Sequence, residues 1–310
     1  MRRLHLLVGK GDAGQRIDRF IAERGNVSRG LARRALDRGG VFLEGRRCKV
    51  ASRGVHPGQR IEVNLEEGGR AAAPVEPLPR SRILFADADL VLVDKPAGVA
   101  AQPTLTSDRG TLPELVSSLL GVPVLLVHRL DRETSGVTVL ALRAEAARSL
   151  SEAFRLGTPE KTYLALTARE PSPPQGRLEA ALGQDPARPG RRRVEPSGEA
   201  AATRYRTLSA GPGAALVEAR PETGRTHQIR AHLSHLGAPL LGDARYGGPL
   251  RVGEFEVPRV MLHALRLELE HPRTRAALCF TAPVPADFRL AAASLLGAAA
   301  LGDDLGPGPP

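Results

Sequence analysis

The chain has 310 residues, 42% of them hydrophobic and 25% charged, the make-up of an ordinary globular protein long enough for two domains. Its net charge of +10 points to a polyanionic partner, nucleic acid first. Its apolar runs fall short of the ~20 residues that cross a bilayer, and Cys48 and Cys279 stand in no metal-ligand spacing, which suits a reduced cytoplasmic protein.

The first stretch, MRRLHLLVGK, is charged and lacks an apolar core or cleavage site, so no signal peptide is expected. Only four of the 44 basic residues are lysine. Such an arginine bias is compositional, so where the charge sits weighs more than its sum. Residues 13–65 hold 12 Arg or Lys against 5 Asp or Glu, so seven of the ten net charges fall there. The spacing predicts a helix over 16–24, with Ile17, Phe20 and Ile21 on one face, and a second over 29–38, capped by Ser28. Arg29, Arg33 and Arg34 then share or border one exposed face. Gly39-Gly40 ends that helix, and 41–43 and 58–63 read as short strands around turns. This basic helix pair followed by a small sheet resembles the S4 RNA-binding domain, with 13–66 as its extent. The resemblance implies that those three arginines meet RNA phosphates, with salt-sensitive and sequence-poor affinity. Residues 67–81 are rich in Gly, Ala and Pro and read as a linker.

Beyond the linker, 83–85 and 90–93 read as strands about a turn at Asp87-Ala88-Asp89, followed by Asp94-Lys95-Pro96-Ala97-Gly98. A short helix over 111–120 leads to an apolar run, 122–127, read as a strand. Then come nine residues of mixed chemistry, His128-Arg129-Leu130-Asp131-Arg132-Glu133-Thr134-Ser135-Gly136, and a second apolar strand over 137–142. By themselves these nine residues leave a salt-bridged surface turn open as a reading. A helix over 144–155 and a strand over 161–166, Lys161-Thr162-Tyr163-Leu164-Ala165-Leu166, follow. Residues 170–200 read as an exposed excursion carrying Arg191-Arg192-Arg193, and Ala202 to Tyr205 resume a strand. Glu222-Thr223-Gly224-Arg225-Thr226-His227-Gln228-Ile229-Arg230 makes a tight turn into a helix start, and Gly242-Asp243 and Tyr246-Gly247 follow. The chain closes with apolar segments over 260–264 and 267–271, a last helix over 290–300 and a disordered tail over 297–310.

Three of these strings together resemble the RluA-type pseudouridine synthases: HRLDRETSG, the KxYxA strand, and TGRTHQIR continuing to GDARYG. The resemblance spans about 82–290, with 82–292 as the catalytic domain. It departs from the family pattern at Asp94, where Asn is usual, and at Gln102, where His precedes Pro103. It implies a mixed α/β fold, with a mainly antiparallel central sheet flanked by helices behind the small α+β module. It makes Asp131 the catalytic nucleophile and Arg225 the charge partner approaching it. Tyr163 becomes the aromatic that stacks on the target base and handles its proton. Arg129 fills the space that an extruded base vacates, and His128, Thr134, His227 and Arg230 contact substrate or RNA. The reaction is an isomerisation of uridine, with no redox change, so no cofactor is expected. Large-subunit (23S) ribosomal RNA is the first substrate, transfer RNA the second, and a monomer without membrane attachment is expected. Two other readings stay open from sequence: a non-catalytic RNA-binding or ribosome-assembly factor, and a metal hydrolase on His227, His232 and His235. Residues five apart diverge on a helix and no HExxH pattern completes that set, so no metal is expected.

Overall fold

The computed structural model describes residues 2–65 and 76–301. Most of the expected linker, and the end of the expected tail, lie outside the described residues. The described chain divides into two compact units, one made of 2–65, 76–78 and 102–118, the other of 79–101 and 119–301.

In the first unit, β1 (Arg2–Leu7), helices α1 (Ile17–Arg24) and α2 (Arg29–Arg38), and strands β2 (Val41–Leu43), β3 (Arg46–Arg47) and β4 (Arg60–Leu65) follow in order. The sheet order is β1-β4-β2-β3, all antiparallel. The helices form where expected. Ile17, Phe20, Ile21, Ala32, Ala35 and Leu36 are buried against the sheet's Val41, Ile61 and Val63. Ser28 caps α2 by accepting from the Leu31 N–H at 3.2 Å, and a left-handed Gly39 ends it. Strand β1 was not anticipated; its alternation is masked by arginines at the charged start of the chain. Residues 102–118, expected within the catalytic domain, belong to this unit. Arg47 donates to the Thr104 carbonyl at 2.7 Å, Arg109 pairs with Asp37 and Lys49 with Asp108, both at 2.7 Å.

The second unit opens with β5 (Ile83–Ala86) and β6 (Leu90–Lys95); α3 (Leu112–Leu120) follows in the chain. The expected strand over 122–127 shrinks to β7 (Leu125–Leu126), after which β8 (Ser135–Ala141) is buried at every residue. Next come α4 (Ala144–Leu156) and β9 (Glu160–Thr167). The excursion is ordered: it holds β10 (Gln175–Glu179) and a hairpin of β11 (Leu182–Gln184) and β12 (Arg192–Val194). Strands β13 (Ala202–Gly211) and β14 (Ala214–Pro221), helix α5 (Gln228–His235), a small hairpin of β15 (Arg251–Val252) and β16 (Phe255–Glu256), β17 (Leu262–Glu270), β18 (Ala277–Thr281) and α6 (Ala286–Leu296) complete it. The sheet runs β10-β13-β14-β9-β17-β8-β6-β5, with β18 on β17 and β7 on β8. Every pairing is antiparallel except β17 with β8, so the mixed, mainly antiparallel sheet is as expected. Strand β14 went unread because its sequence, AALVEARP, is apolar without alternation, the pattern of a strand covered on both faces.

The parallel β8–β17 join places the nine-residue motif. Gly136 pairs with Ala264 and has φ of +114°. A Cβ there would stand 2.1 Å from the Ala264 carbonyl oxygen, closer than any side chain tolerates, so only glycine lets β8 seat against β17. Arg259 locks the same corner. It pairs bidentately with Asp287 at 2.6 and 3.0 Å and donates to the carbonyls of Glu133 and Val260. Asp94, the departure from the family's Asn, is buried and paired with Arg82 at 2.5 Å.

Candidate active site

The motif's charged residues sit on the loop between β7 and β8, directly before the buried strand that fixes it. The loop is fastened from below. Lys95 is wholly buried, and its amine donates to the carbonyls of Pro96, Val99 and Arg132 at 3.0, 2.9 and 3.2 Å. Burial lowers its pKa to about 7, against the opposing pull of Glu133 and Asp131. Gly98 N–H also donates to the Arg132 carbonyl, and Arg132 Nε returns a bond to the Gly98 carbonyl. Thr134, itself buried, closes the turn by donating its N–H to the Asp131 carbonyl at 3.1 Å.

Asp131 projects from this loop into a cleft of about 320 Å³, lined also by Tyr163, Lys161, His227 and Arg230. That volume is at the small end of ligand sites. Arg230 reaches it from α5. Its Nη1 donates to Asp131 at 3.0 Å, while Nε and Nη2 grip Asp243 at 2.7 and 2.9 Å. The side chain is 8% exposed and Asp131 20%. Burial works against the guanidinium's charge, but the hydrogen bond to Asp243 and the two carboxylates raise its pKa further. Asp243 thus holds the fork, and Arg230 presents its remaining edge to Asp131. Arg230 also lies over the Tyr246 ring, 5.0 Å from its centroid.

His227 begins α5 with φ of +56°, an uncommon conformation for a residue with a Cβ. Its Nδ1 lies 3.0 Å from the Tyr246 hydroxyl, which accepts from Arg192 N–H at 2.8 Å. We assign the hydroxyl proton to His227 Nδ1, which puts the ring proton on Nε2, 3.8 Å from Asp131. Burial lowers its pKa to about 4 despite Asp131, so the ring is neutral at pH 7. Tyr163 comes from β9, half-buried at the junction of two apolar clusters. Burial and the charge of Asp131 push its hydroxyl pKa above 10.0, so it stays protonated at neutral pH.

Several expectations change here. Arg225 does not reach Asp131: it pairs with Glu199 at 3.3 Å and donates to the Ala200 carbonyl at 3.0 Å. The charge partner is Arg230, which the sequence reading assigned to substrate contact. His128 turns inward. It stacks on Phe154 at 4.1 Å and accepts the Val139 N–H, and burial lowers its pKa to about 3. It therefore supports the loop as a neutral acceptor. Arg129 is exposed, with a bond of 3.4 Å to the Thr226 hydroxyl. In the first unit, Arg29 and Arg33 converge with Arg16 on the fully buried Asp18 at 3.2, 2.8 and 3.1 Å. Burial resists ionisation of Asp18, but these bonds lower its pKa. Arg34 alone of the three expected phosphate contacts is exposed without an ion pair among the described residues. The Arg191–Arg193 run is also engaged, Arg191 with Asp185 at 3.6 Å, Arg192 with Glu199 at 3.4 Å and Arg193 with Glu195 at 2.5 Å.

The three histidines near α5 do not converge. His232 bonds Thr203 and the Ala180 carbonyl, His227 faces Tyr246, and His235 is exposed. Among the described residues, Asp87, Asp89 and His271 have metal-ligand spacing. His271 Nδ1 accepts the N–H groups of Arg273 and Thr274, so Nε2 carries the proton and donates to Asp87 at 2.7 Å. Asp89 is taken by Arg273 at 2.6 Å. Asp243, Tyr246, Lys95 and Arg259 are the site-building residues that the sequence reading gave no role. Asp243 and Tyr246 lie in the GDARYG string, whereas Arg259 stands in no motif. No helix among the described residues is long and apolar enough to cross a membrane.

Residues 89–235 match the family described as RNA pseudouridylate synthase, and residues 15–61 match the S4 domain. The chain is similar to an uncharacterized RNA pseudouridine synthase of Chloroflexus aurantiacus, 38% identical over 92% of this chain and 91% of that one. It is 31% identical to the chloroplastic RNA pseudouridine synthase 2 of Arabidopsis thaliana, over 92% of this chain and 81% of that one. Among solved structures, human RNA pseudouridylate synthase domain containing 4 superposes with a TM-score of 0.54 at 31% identity, covering 67% of this chain and 90% of that one. Domain containing 1 gives 0.56 at 28%, covering 70% and 87%.

Proposed function

The chain belongs to the RNA pseudouridine synthases, which are isomerases, and from that premise we propose that it converts uridines of large-subunit ribosomal RNA, in the cytoplasm, with Asp131 as the nucleophile. The observation that carries this reading is the Asp131 carboxylate, open to a base-sized cleft and held on one oxygen by Arg230. The basic S4-like unit supports a large, folded RNA as the partner, because phosphate contacts give affinity without sequence. Two free cysteines, one of them exposed, suit a reducing compartment.

The target uridine leaves its stack to reach the cleft. Asp131 bonds to the nucleotide and splits one hard step into easier ones. The bond from C1′ to N1 breaks, the ring turns, C5 bonds to C1′, and the bond to Asp131 breaks so that its electron pair returns to the carboxylate; the proton lost from C5 is matched by one gained at N1. Arg230 orients the carboxylate and offers a charge-assisted hydrogen bond to its ionised form. Tyr163 supplies the flat face on which the extruded ring stacks. Arg129, exposed beside the cleft, fills the vacated place in the RNA.

A single-nucleotide pseudouridine map of total RNA tests this, taken from cells with and without the gene and complemented with wild type or Asp131→Ala. Ribosomal sites that disappear on deletion and return only with wild type are expected. Sites confined to transfer RNA would overturn the substrate, and restoration by Asp131→Ala would overturn the nucleophile.

A further inference from the structure

Lys161 lines the same cleft two residues before Tyr163 on β9, so the two side chains stand on one face of the strand. It is half-buried, yet among the described residues no hydrogen bond or ion pair holds its amine. The other cations around the cleft are engaged: Arg230 with Asp131 and Asp243, Arg155 with Glu152 at 2.5 Å, Arg225 with Glu199, and Arg129 with Thr226. A desolvated ammonium without a partner is costly and is retained where something else completes it. Phe154 and Tyr163 line the cleft together with Lys161, and in the reading above the extruded ring stacks on Tyr163, on the strand face that Lys161 shares.

The chemistry of the proposed reaction says what that edge requires. If C1′–N1 breaks first, the bonding pair goes to N1 and spreads over O2 and O4. If a nucleophile adds to the ring instead, the displaced pair also collects on the carbonyl oxygens. In either order the pyrimidine becomes an anion before C5 bonds to C1′. We propose that Lys161 is a catalytic residue that donates from its ammonium to the uracil carbonyl oxygens as this charge develops. The inference rests on the isomerase reading above and assigns one more of its groups. The pair returns to the new C5–C1′ bond, and the ammonium keeps its proton throughout. A preorganised donor aimed at developing charge in a dry site is worth about 10²–10³ in turnover.

Burial alone pushes the pKa of Lys161 below 10.5. Catalysis through its charged form would therefore fade as pH rises through that lowered value. The groups facing it do not imitate this limb. His128 and His227 titrate at about 3 and 4, and Tyr163 is shifted upward. The guanidiniums that line the cleft with Lys161, Arg129, Arg155, Arg225 and Arg230, stay charged, and the remaining lining charge is the Asp131 carboxylate. Lys95, beneath the loop, titrates at about 7, and any limb it contributes is common to all Lys161 variants.

The test uses the full-length enzyme and an RNA fragment carrying a site found in the map, with single-turnover rates and RNA affinity measured against pH. Lys161→Met is expected to turn over about 100-fold more slowly with RNA affinity and melting temperature close to wild type. Lys161→Arg is expected to recover most of the rate and to lose the alkaline limb seen in wild type. A Lys161→Met rate equal to wild type, or a loss confined to affinity, would overturn the proposal. So would an alkaline limb unchanged in Lys161→Arg, which is readable even if the Met variant fails to fold. An inactive wild type on that RNA would instead count against the isomerase reading itself.

Discussion

Arg230 divides one guanidinium between two acids, and this makes Asp243 a test of the site at the scale of single residues. Asp243→Asn removes the charge that fixes the fork, so Arg230 is free to turn from Asp131. A charge-assisted bond of about 1.5–3 kcal/mol predicts a loss of roughly 10–100-fold in turnover, with RNA affinity kept, measured by single-turnover kinetics. Tyr163→Ala removes the stacking face, worth about 1–3 kcal/mol per base, and a loss of roughly 10–100-fold is expected in the same assay. Asp131 stood out through the resemblance of its nine-residue string to a family motif, since those residues by themselves fit a salt-bridged turn as well. Its partner did not. Arg225 and Arg230 lie in one motif, and the left-handed backbone at His227 reverses the chain between them. Which arginine then points inward is set by that dihedral angle and by Asp243, neither of which spacing expresses.

At the scale of elements, helix periodicity placed α1, α2 and α4 within a residue or two, because each buries one apolar stripe. Strands were harder: β1 is hidden among arginines, and β14 and β18 lack the alternation that marks a half-exposed strand. The α1–α2 pair separates two uses of arginine. Arg33→Ala takes one of three partners from the buried Asp18 and is expected to lower the melting temperature of the first unit. Arg34→Ala, at an exposed residue without an ion pair among the described residues, should leave stability within about 0.5 kcal/mol while reducing the salt slope of RNA binding by about 1. Equal salt slopes for Arg34→Ala and wild type would remove that helix face from the RNA interface. In the second unit, Gly136→Ala sets a Cβ against the Ala264 backbone at a positive φ. Strain of about 1–3 kcal/mol or more is expected, read as a lowered melting temperature together with lost activity.

The whole molecule carries an acid sensitivity that no single residue explains. His128, His227 and His263 have folded pKa values of about 3, 4 and 4, against 6.5 for a free imidazole, each through burial first. Between pH 6.5 and 4 the unfolded chain therefore binds protons that the folded chain refuses. Stability from these groups is complete above pH 6.5 and lost as pH falls toward 4. Thermal melts across that window should show a steady decline, and His128→Gln, which keeps an acceptor for Val139 N–H, should make it shallower. A melting temperature flat from pH 6.5 to 4.5 would contradict the buried neutral rings.

The placement of residues 102–118 with the first unit has a consequence for how this architecture can be taken apart. The amino-terminal module is discontinuous in the gene: its second piece is encoded inside the stretch that builds the catalytic sheet. A single cut in 66–75 would leave a nicked protein whose early fragment is still gripped by 102–118 through Arg47, Lys49 and Asp37. Transplanting the module onto another scaffold would require two exchanges at once, and a truncation that begins after the linker would strand an orphaned segment.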